Sequence, residues 1–170
     1  MKKPVMAISS VLLFAGCAGM EAGPGATARL EPRSGSKVSG TLRFVEVGEK
    51  VRVTGVITGH TPGPKGFHIH EKGDCSDDKA MNAGAHFNPH NKKHGAAGAR
   101  ERHAGDLGNL HFDPSGSVKV DITVDGISLS RDRPEGIIGR AVIVHAETDD
   151  LMTDPTGNAG GRFACGVITG

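Results

Sequence analysis

Tryptophan and tyrosine are absent and phenylalanine occurs only 6 times, so a hydrophobic core has to be assembled from Val, Ile, Leu and Phe. An excess of either charge is also missing, with 20 Lys and Arg against 19 Asp and Glu. That balance excludes the concentrated positive charge with which proteins neutralise a phosphate backbone, and no nucleic-acid partner is expected. No long stretch carries a 3.6-residue apolar period, which argues against long amphipathic helices. The apolar run from Pro4 to Gly16 is too short for a permanent membrane-spanning helix. Glycine, by contrast, is abundant at 26 of 170 residues, the composition of a turn-rich chain of one β domain.

The ends of the short apolar run give it a different meaning. Lys2 and Lys3 precede it, and the small residues Ala15 and Gly16 lead into Cys17, the pattern of an export signal. The segment resembles a bacterial lipoprotein signal, whose processing leaves Cys17 as a lipid-modified, membrane-anchored N-terminus; ordinary cleavage near Ala18 or Ala22 is the alternative. Residues 1–16 are therefore expected to be a signal, 17–28 a small, Gly-rich flexible tether, and 29–170 the folded domain. The expected location is the periplasm or cell envelope. Of three cysteines, Cys17 falls in the signal region, which leaves Cys75 and Cys165 as an even pair in an exported chain. A disulfide is the natural reading, and two unpaired buried thiols are the alternative.

Alternating apolar and polar residues predict half-buried strands at Val38 to Val47, Val51 to Ile57 and Val118 to Val124. Gly48-Glu49 predicts a hairpin between the first two, and Asp113-Pro114-Ser115-Gly116 predicts another between Leu107 to Phe112 and Ser117 to Val124. Phe67 to His70, Arg140 to His145 and Arg162 to Ile168 add three strands, and Ala26 to Arg33 adds one at an edge. The expected fold is all-β, a Greek-key antiparallel sandwich or flattened barrel of seven to eight strands. Two long segments, Glu71 to Gly105 and Glu147 to Gly161, resist strand assignment and read as functional loops.

His68 and His70 lie two apart on a predicted strand, so both side chains share a face. His86, His94 and His103 follow in the first long loop, Asp106 comes three residues after His103, and His145 closes a later strand. Neutral imidazole suits copper and zinc, and a carboxylate can complete a zinc site, so the set points to a transition metal. Its members differ in origin. His68, His70 and His145 come from strand ends and form a rigid platform, whereas His94, His103 and Asp106 sit on a loop that a metal would help to fold. His86 stands between the two, and an imidazole has two ring nitrogens with which to bridge two ions. A zinc hydrolase would need an open zinc position and a general base. The chain instead offers four histidines to one metal.

The runs Gly66-Phe67-His68-Ile69-His70-Glu71, Gly84-Ala85-His86-Phe87-Asn88-Pro89, Lys93-His94-Gly95, Arg102-His103-Ala104-Gly105-Asp106 and Gly157-Asn158-Ala159-Gly160-Gly161-Arg162-Phe163-Ala164-Cys165-Gly166 carry a resemblance. In order and separation they resemble the signatures of the copper/zinc superoxide dismutases, over about Val38 to Ile168. The resemblance implies an oxidoreductase that converts superoxide to dioxygen and hydrogen peroxide, with one copper and one zinc per subunit. It implies copper at His68, His70, His86 and His145, and zinc at His86, His94, His103 and Asp106, with His86 shared. It further implies that Asp149 links a copper histidine to a zinc histidine, that Arg162 draws in the anionic substrate, and that Cys75 and Cys165 are bonded. Lys65 and Lys72 are further candidates for steering the substrate. The chain is expected to be a homodimer or a monomer, with Ile137 and Ile138 as exposed apolar residues. A copper-delivery protein on the same fold is the alternative function. His60, His90 and His111 fall outside the pattern and are expected to be surface or structural residues.

Overall fold

The computed structural model describes residues 25–170, so the expected signal, Cys17 and the tether as far as residue 24 lie outside the described residues. Eight strands follow in order: β1 (Gly25–Pro32), β2 (Ser39–Val47), β3 (Lys50–Thr58), β4 (Gly63–His70), β5 (Asp106–Phe112), β6 (Ser117–Val124), β7 (Ala141–His145) and β8 (Arg162–Val167). All named pairs are antiparallel, in the order β5-β4-β7-β8-β1-β2-β3-β6. β5 and β6 approach one another, so the sheet is an almost closed Greek-key barrel.

Period-two alternation fills the interior. Leu42 and Phe44 of β2, Val53 and Ile57 of β3, Phe67 and Ile69 of β4 and Val142 and Val144 of β7 are fully buried and form one core. Each such side chain contributes about 1.5–3 kcal/mol of burial, which is how a chain without Trp or Tyr obtains a stable interior. Ile137 belongs to this core, contrary to the expectation of an exposed apolar residue.

Two further expectations need correction. The strand at the N-terminus begins at Gly25, four residues inside the expected tether, and it lies between β8 and β2 rather than at an edge. Ala26, Ala28 and Leu30 point into the core there, and a Cβ on Gly25 would meet the Phe44 carbonyl oxygen at 2.8 Å. Close packing requires the small residues that resemble a linker in sequence. Second, Asp113 to Gly116 makes a tight turn, with Asp113 Oδ1 accepting from the Ser115 and Ser117 amides, yet β5 and β6 are not a ladder pair. β5 pairs with β4 and β6 with β3, so this turn passes the chain from one side of the barrel to the other.

The fold brings the ends of β4, β7 and β8 and the start of β5 together beneath both long loops. Phe67 and Ile69 face the core, so His68 and His70 alternate to the opposite face. The first loop docks on β4 through Ile69 N–H to Gly105 O (2.9 Å) and Phe87 N–H to Ile69 O (2.8 Å). Cys75 and Cys165 form a disulfide that ties this loop to β8 across 90 residues, over a small cluster of Ala80, Ala83, Ala141 and Ile143.

Candidate metal centre

Two sets of potential ligand atoms converge. Those of His68, His70, His86 and His145 lie within 4.8 Å of one another, as do those of His86, His94, His103 and Asp106, and all seven residues are buried. His86 belongs to both sets. Its ring centroid is 4.0 Å from that of His68 and 5.6 Å from that of His103.

In the first set every histidine outside the shared one has its far nitrogen fixed. His68 Nε2–H donates to Asp149 Oδ2 (2.7 Å), His70 Nδ1–H to the Gly84 carbonyl (2.9 Å) and His145 Nδ1–H to the Gly160 carbonyl (3.3 Å). These bonds set the tautomers, leaving His68 Nδ1, His70 Nε2 and His145 Nε2 as lone-pair donors. His70 Nε2 and His145 Nε2 stand 3.4 Å apart. Two acceptors at that distance call for something between them.

The second set gathers around one oxygen. Asp106 Oδ1 is 2.8 Å from His86 Nδ1, 3.1 Å from His94 Nδ1 and 3.2 Å from His103 Nδ1. Asp106 Oδ2 accepts the backbone N–H groups of Gly95 (3.1 Å) and His103 (2.9 Å), which orients the carboxylate. Three imidazole nitrogens and one carboxylate oxygen are a donor set that zinc accepts in tetrahedral coordination.

Three buried nitrogens make no hydrogen bond of good geometry among the described residues: His68 Nδ1, His86 Nε2 and His94 Nδ1, the last despite its 3.1 Å contact with Asp106 Oδ1. One lies in each set and one on the shared ring. Buried polar atoms are normally satisfied, so these three fit metal ligation by the residues present.

Asp149 joins the sets. Its Oδ2 takes the His68 proton and its Oδ1 takes that of His94 Nε2 at 2.9 Å, while its backbone is held by both groups of the Asn109 amide. Gly157 is required beside it: a Cβ there would fall 1.9 Å from Asp149 Oδ1, and its φ of +61° is one that glycine adopts freely.

Charge follows from this arrangement. Burial lowers the pKa of His68 to about 4 against the pull of Asp149. Burial, reinforced by neighbouring imidazoles, places His70 and His145 well below the usual range. His86 is lowered by burial despite Asp106. These rings are neutral at pH 7, the form that binds metals. Burial opposes the charged form of His94, but Asp106 and Asp149 outweigh it and raise that pKa to about 10. Burial likewise acts against Asp106 and Asp149, yet the surrounding histidines hold both carboxyls far below the usual carboxylate range. The second set thus pairs an ionised Asp106 with a protonated His94 at pH 7, and a metal cation bound there would displace the His94 proton.

A pocket of about 500 Å³ opens over the first set, lined by His70, His86, His145, Arg162, Lys79 and Met81 among others. Arg162 Nη1 and Nη2 donate to the carbonyls of Ala80 (2.6 Å) and Gly84 (2.7 Å), which fixes the guanidinium at the wall without a carboxylate bonded to it among the described residues. Lys65, a candidate for steering, is instead buried with Nζ on the Ala146 carbonyl (3.1 Å), and Lys72 is not part of the pocket wall. Lys79 stands there in their place. Sequence reasoning also missed Asp154, whose Oδ1 accepts the His94 N–H (2.7 Å) and lies 3.7 Å from His103 Nε2. No local pattern marks such a reach between loops. Of the remaining histidines, His111 is exposed, His90 pairs with Glu135 at 3.0 Å, and His60 is buried.

Comparison with known proteins agrees with this geometry. Residues 38–168 match the family described as copper/zinc superoxide dismutase. The chain is 44% identical over 139 residues to an extracellular superoxide dismutase [Cu-Zn] of Haemonchus contortus, covering 78% of this chain and 74% of that one. It is also similar to the crystal structure of the clock protein EA4, with a TM-score of 0.78 and 46% identity over 89% of this chain and 97% of the other. Seven buried potential ligands on an eight-stranded barrel, together with a family match along most of the chain, place it in the copper/zinc superoxide dismutase family.

Proposed function

We propose that in this superoxide dismutase one copper ion is held by His68, His70, His86 and His145, and one zinc ion by His86, His94, His103 and Asp106. The observation that supports this division best is the trio of buried, unpartnered nitrogens on His68, His86 and His94, one per set and one shared. The enzyme converts superoxide to dioxygen and hydrogen peroxide. Copper, when bound, supplies the one-electron exchange by which two superoxide anions and two protons become these products, while zinc is structural.

The protein's own residues do the rest. Arg162, anchored by two carbonyls, presents a fixed positive charge to a small anion entering the pocket, and Lys79 adds a second at the wall. Such focused charge raises encounter rates. The Gly84, Gly160 and Asp149 acceptors hold the His70, His145 and His68 rings in one tautomer and orientation, so their lone pairs are organised in advance. His86 Nε2 is the atom at which a proton can be held beside the substrate pocket. A copper-delivery protein on this barrel would have no use for the anchored Arg162.

The division of ligands is tested by metal content. His145→Ala loses copper and keeps zinc, whereas His103→Ala loses zinc; equal loss of both metals from either variant contradicts the assignment.

Export and anchoring are a further part of this reading. The basic, apolar and small residues of 1–16 and the extracellular relative support export, and Cys17 is the site for a lipid anchor in the cell envelope. Cys17→Ser should move the protein from membrane to soluble fractions, and unchanged partitioning rejects the anchor.

A further inference from the structure

His60 is a buried histidine that the metal sites do not use, only 6% exposed and located between β3 and β4. Its ring lies between two aromatic side chains, 4.9 Å from Phe112 and 5.3 Å from Phe163, centroid to centroid. Its own backbone N–H donates to the Gly116 carbonyl at 3.3 Å, so the residue is fixed at main chain and ring alike. Nε2 is 2.9 Å from the carbonyl oxygen of His145. A carbonyl only accepts, so Nε2 carries the proton, and the Thr61 hydroxyl, 3.2 Å from Nδ1, completes the ring by donating to it.

The neighbouring carbonyls are held in the same way. Lys65 Nζ donates to Ala146 O at 3.1 Å and Gly66 N–H to Glu147 O at 2.9 Å. The segment leaving β7 is therefore gripped at three successive carbonyls by the chain that enters β4. The first grip falls on the residue whose imidazole lines the substrate pocket, at a register shift between Val144 and His145 where the β7–β8 ladder is irregular. At that point the regular ladder no longer dictates the backbone orientation, and a side-chain donor takes over the task.

We propose that His60 is a positioning residue for His145: its Nε2–H fixes the His145 carbonyl, and with it the direction in which the His145 ring enters the pocket. This rests on the assignment of His145 as a copper ligand. Outer partners that orient a ligand typically affect metal affinity or activity by about 10–100-fold. The effect belongs to the copper set alone, because His60 touches no residue of the zinc set through the contacts described.

The test uses the full chain loaded with copper and zinc, in wild type, His60→Leu, His60→Gln and His145→Ala. The readouts are the Cu(II) paramagnetic resonance spectrum, copper retention against a chelator, and zinc content. His60→Leu is expected to shift the Cu(II) spectrum and weaken copper retention about tenfold with zinc unchanged. His60→Gln, whose amide N–H reaches the same carbonyl, is expected to restore both. A wild-type spectrum and retention in His60→Leu overturns the proposal, and so does equal damage in the Leu and Gln variants, which would make ring packing rather than the donor decisive. His145→Ala separates the two levels, since a wild-type copper spectrum there defeats the ligand assignment itself. Nitrogen NMR of the wild-type His60 ring decides the matter if His60→Leu does not fold: the Nε2–H tautomer is expected, and the Nδ1–H tautomer overturns the clamp.

Discussion

Asp149 grips His68 at 2.7 Å with one carboxylate oxygen and keeps the other for His94, so a single side chain spans the two halves of the centre. Each half thereby depends on the geometry of the other. His68 belongs to a strand and His94 to a loop, and the carboxylate between them ties the loop-borne set to the barrel.

Asp149→Asn removes one acceptor and should weaken zinc retention by about 10–100-fold, with a smaller loss of copper, because β4 still orients His68. Gly157→Ala should act in the same direction without replacing a ligand, since its Cβ would fall on Asp149 Oδ1 and 2.6 Å from His94 Nε2. Chelator titration of both metals in each variant reads this directly. Wild-type retention in Asp149→Asn would show that the bridge carries no coupling.

Arg162 and Lys79 are expected to differ in how much they steer. Arg162→Ala should lower the superoxide reaction rate about tenfold or more and flatten its dependence on ionic strength, with both metals still bound. Lys79→Ala should produce a smaller change of the same sign, and Arg162→Lys should recover part of the rate by restoring charge without the two-carbonyl anchor. Stopped-flow rates across a salt series make the comparison, and an unchanged salt slope in Arg162→Ala rules out steering.

Cys75–Cys165 closes a loop of 90 residues, and loss of that restraint should destabilise the metal-free protein by about 2–5 kcal/mol. Denaturant unfolding of the double Ser variant measures it. Release of the bridge should also loosen the first loop, which then keeps only contacts such as Arg33 Nε to the Cys75 carbonyl (2.9 Å), with weaker copper retention as a second readout.

Acid and alkali should each destabilise the metal-free protein. His68, His70, His86 and His145 titrate lower in the folded chain than the unfolded value of about 6.5, so below that pH the unfolded chain binds more protons and stability falls with falling pH. His94 is shifted upward to about 10; its contribution is complete below pH about 6.5 and is lost as the pH rises through 10. Asp106 and Asp149 are held low, and their contribution present at neutrality disappears in strong acid, below about pH 4. Thermal unfolding of chelated protein from pH 4.5 to 10 should pass through a maximum near neutrality, and a midpoint rising steadily toward pH 4.5 contradicts the assignment of charges.

Much of this was legible in the sequence because it is local. Two histidines on one strand face follow from alternation, and His103 with Asp106 lies within a single loop turn. The ends of β2 and β3 follow from Gly48 and the alternating apolar residues around it. What escaped depends on distant encounters. The Ala26-Thr27-Ala28 run has the composition of a linker and lies in an inner strand, because small residues are what close packing against β2 requires. Lys65 looks like a surface charge beside the histidine motif, but a backbone carbonyl 81 residues away captures its ammonium. His60 and Asp154 act through main-chain groups of other elements, and such roles leave no pattern of spacing.

The most direct measurement is superoxide decay by stopped flow with the copper- and zinc-loaded full chain, with metal content determined on the same sample. One copper and one zinc per chain are expected, with removal of superoxide far above the uncatalysed rate, lost in His145→Ala while zinc remains. Decay at the uncatalysed rate with both metals fully bound would contradict that expectation.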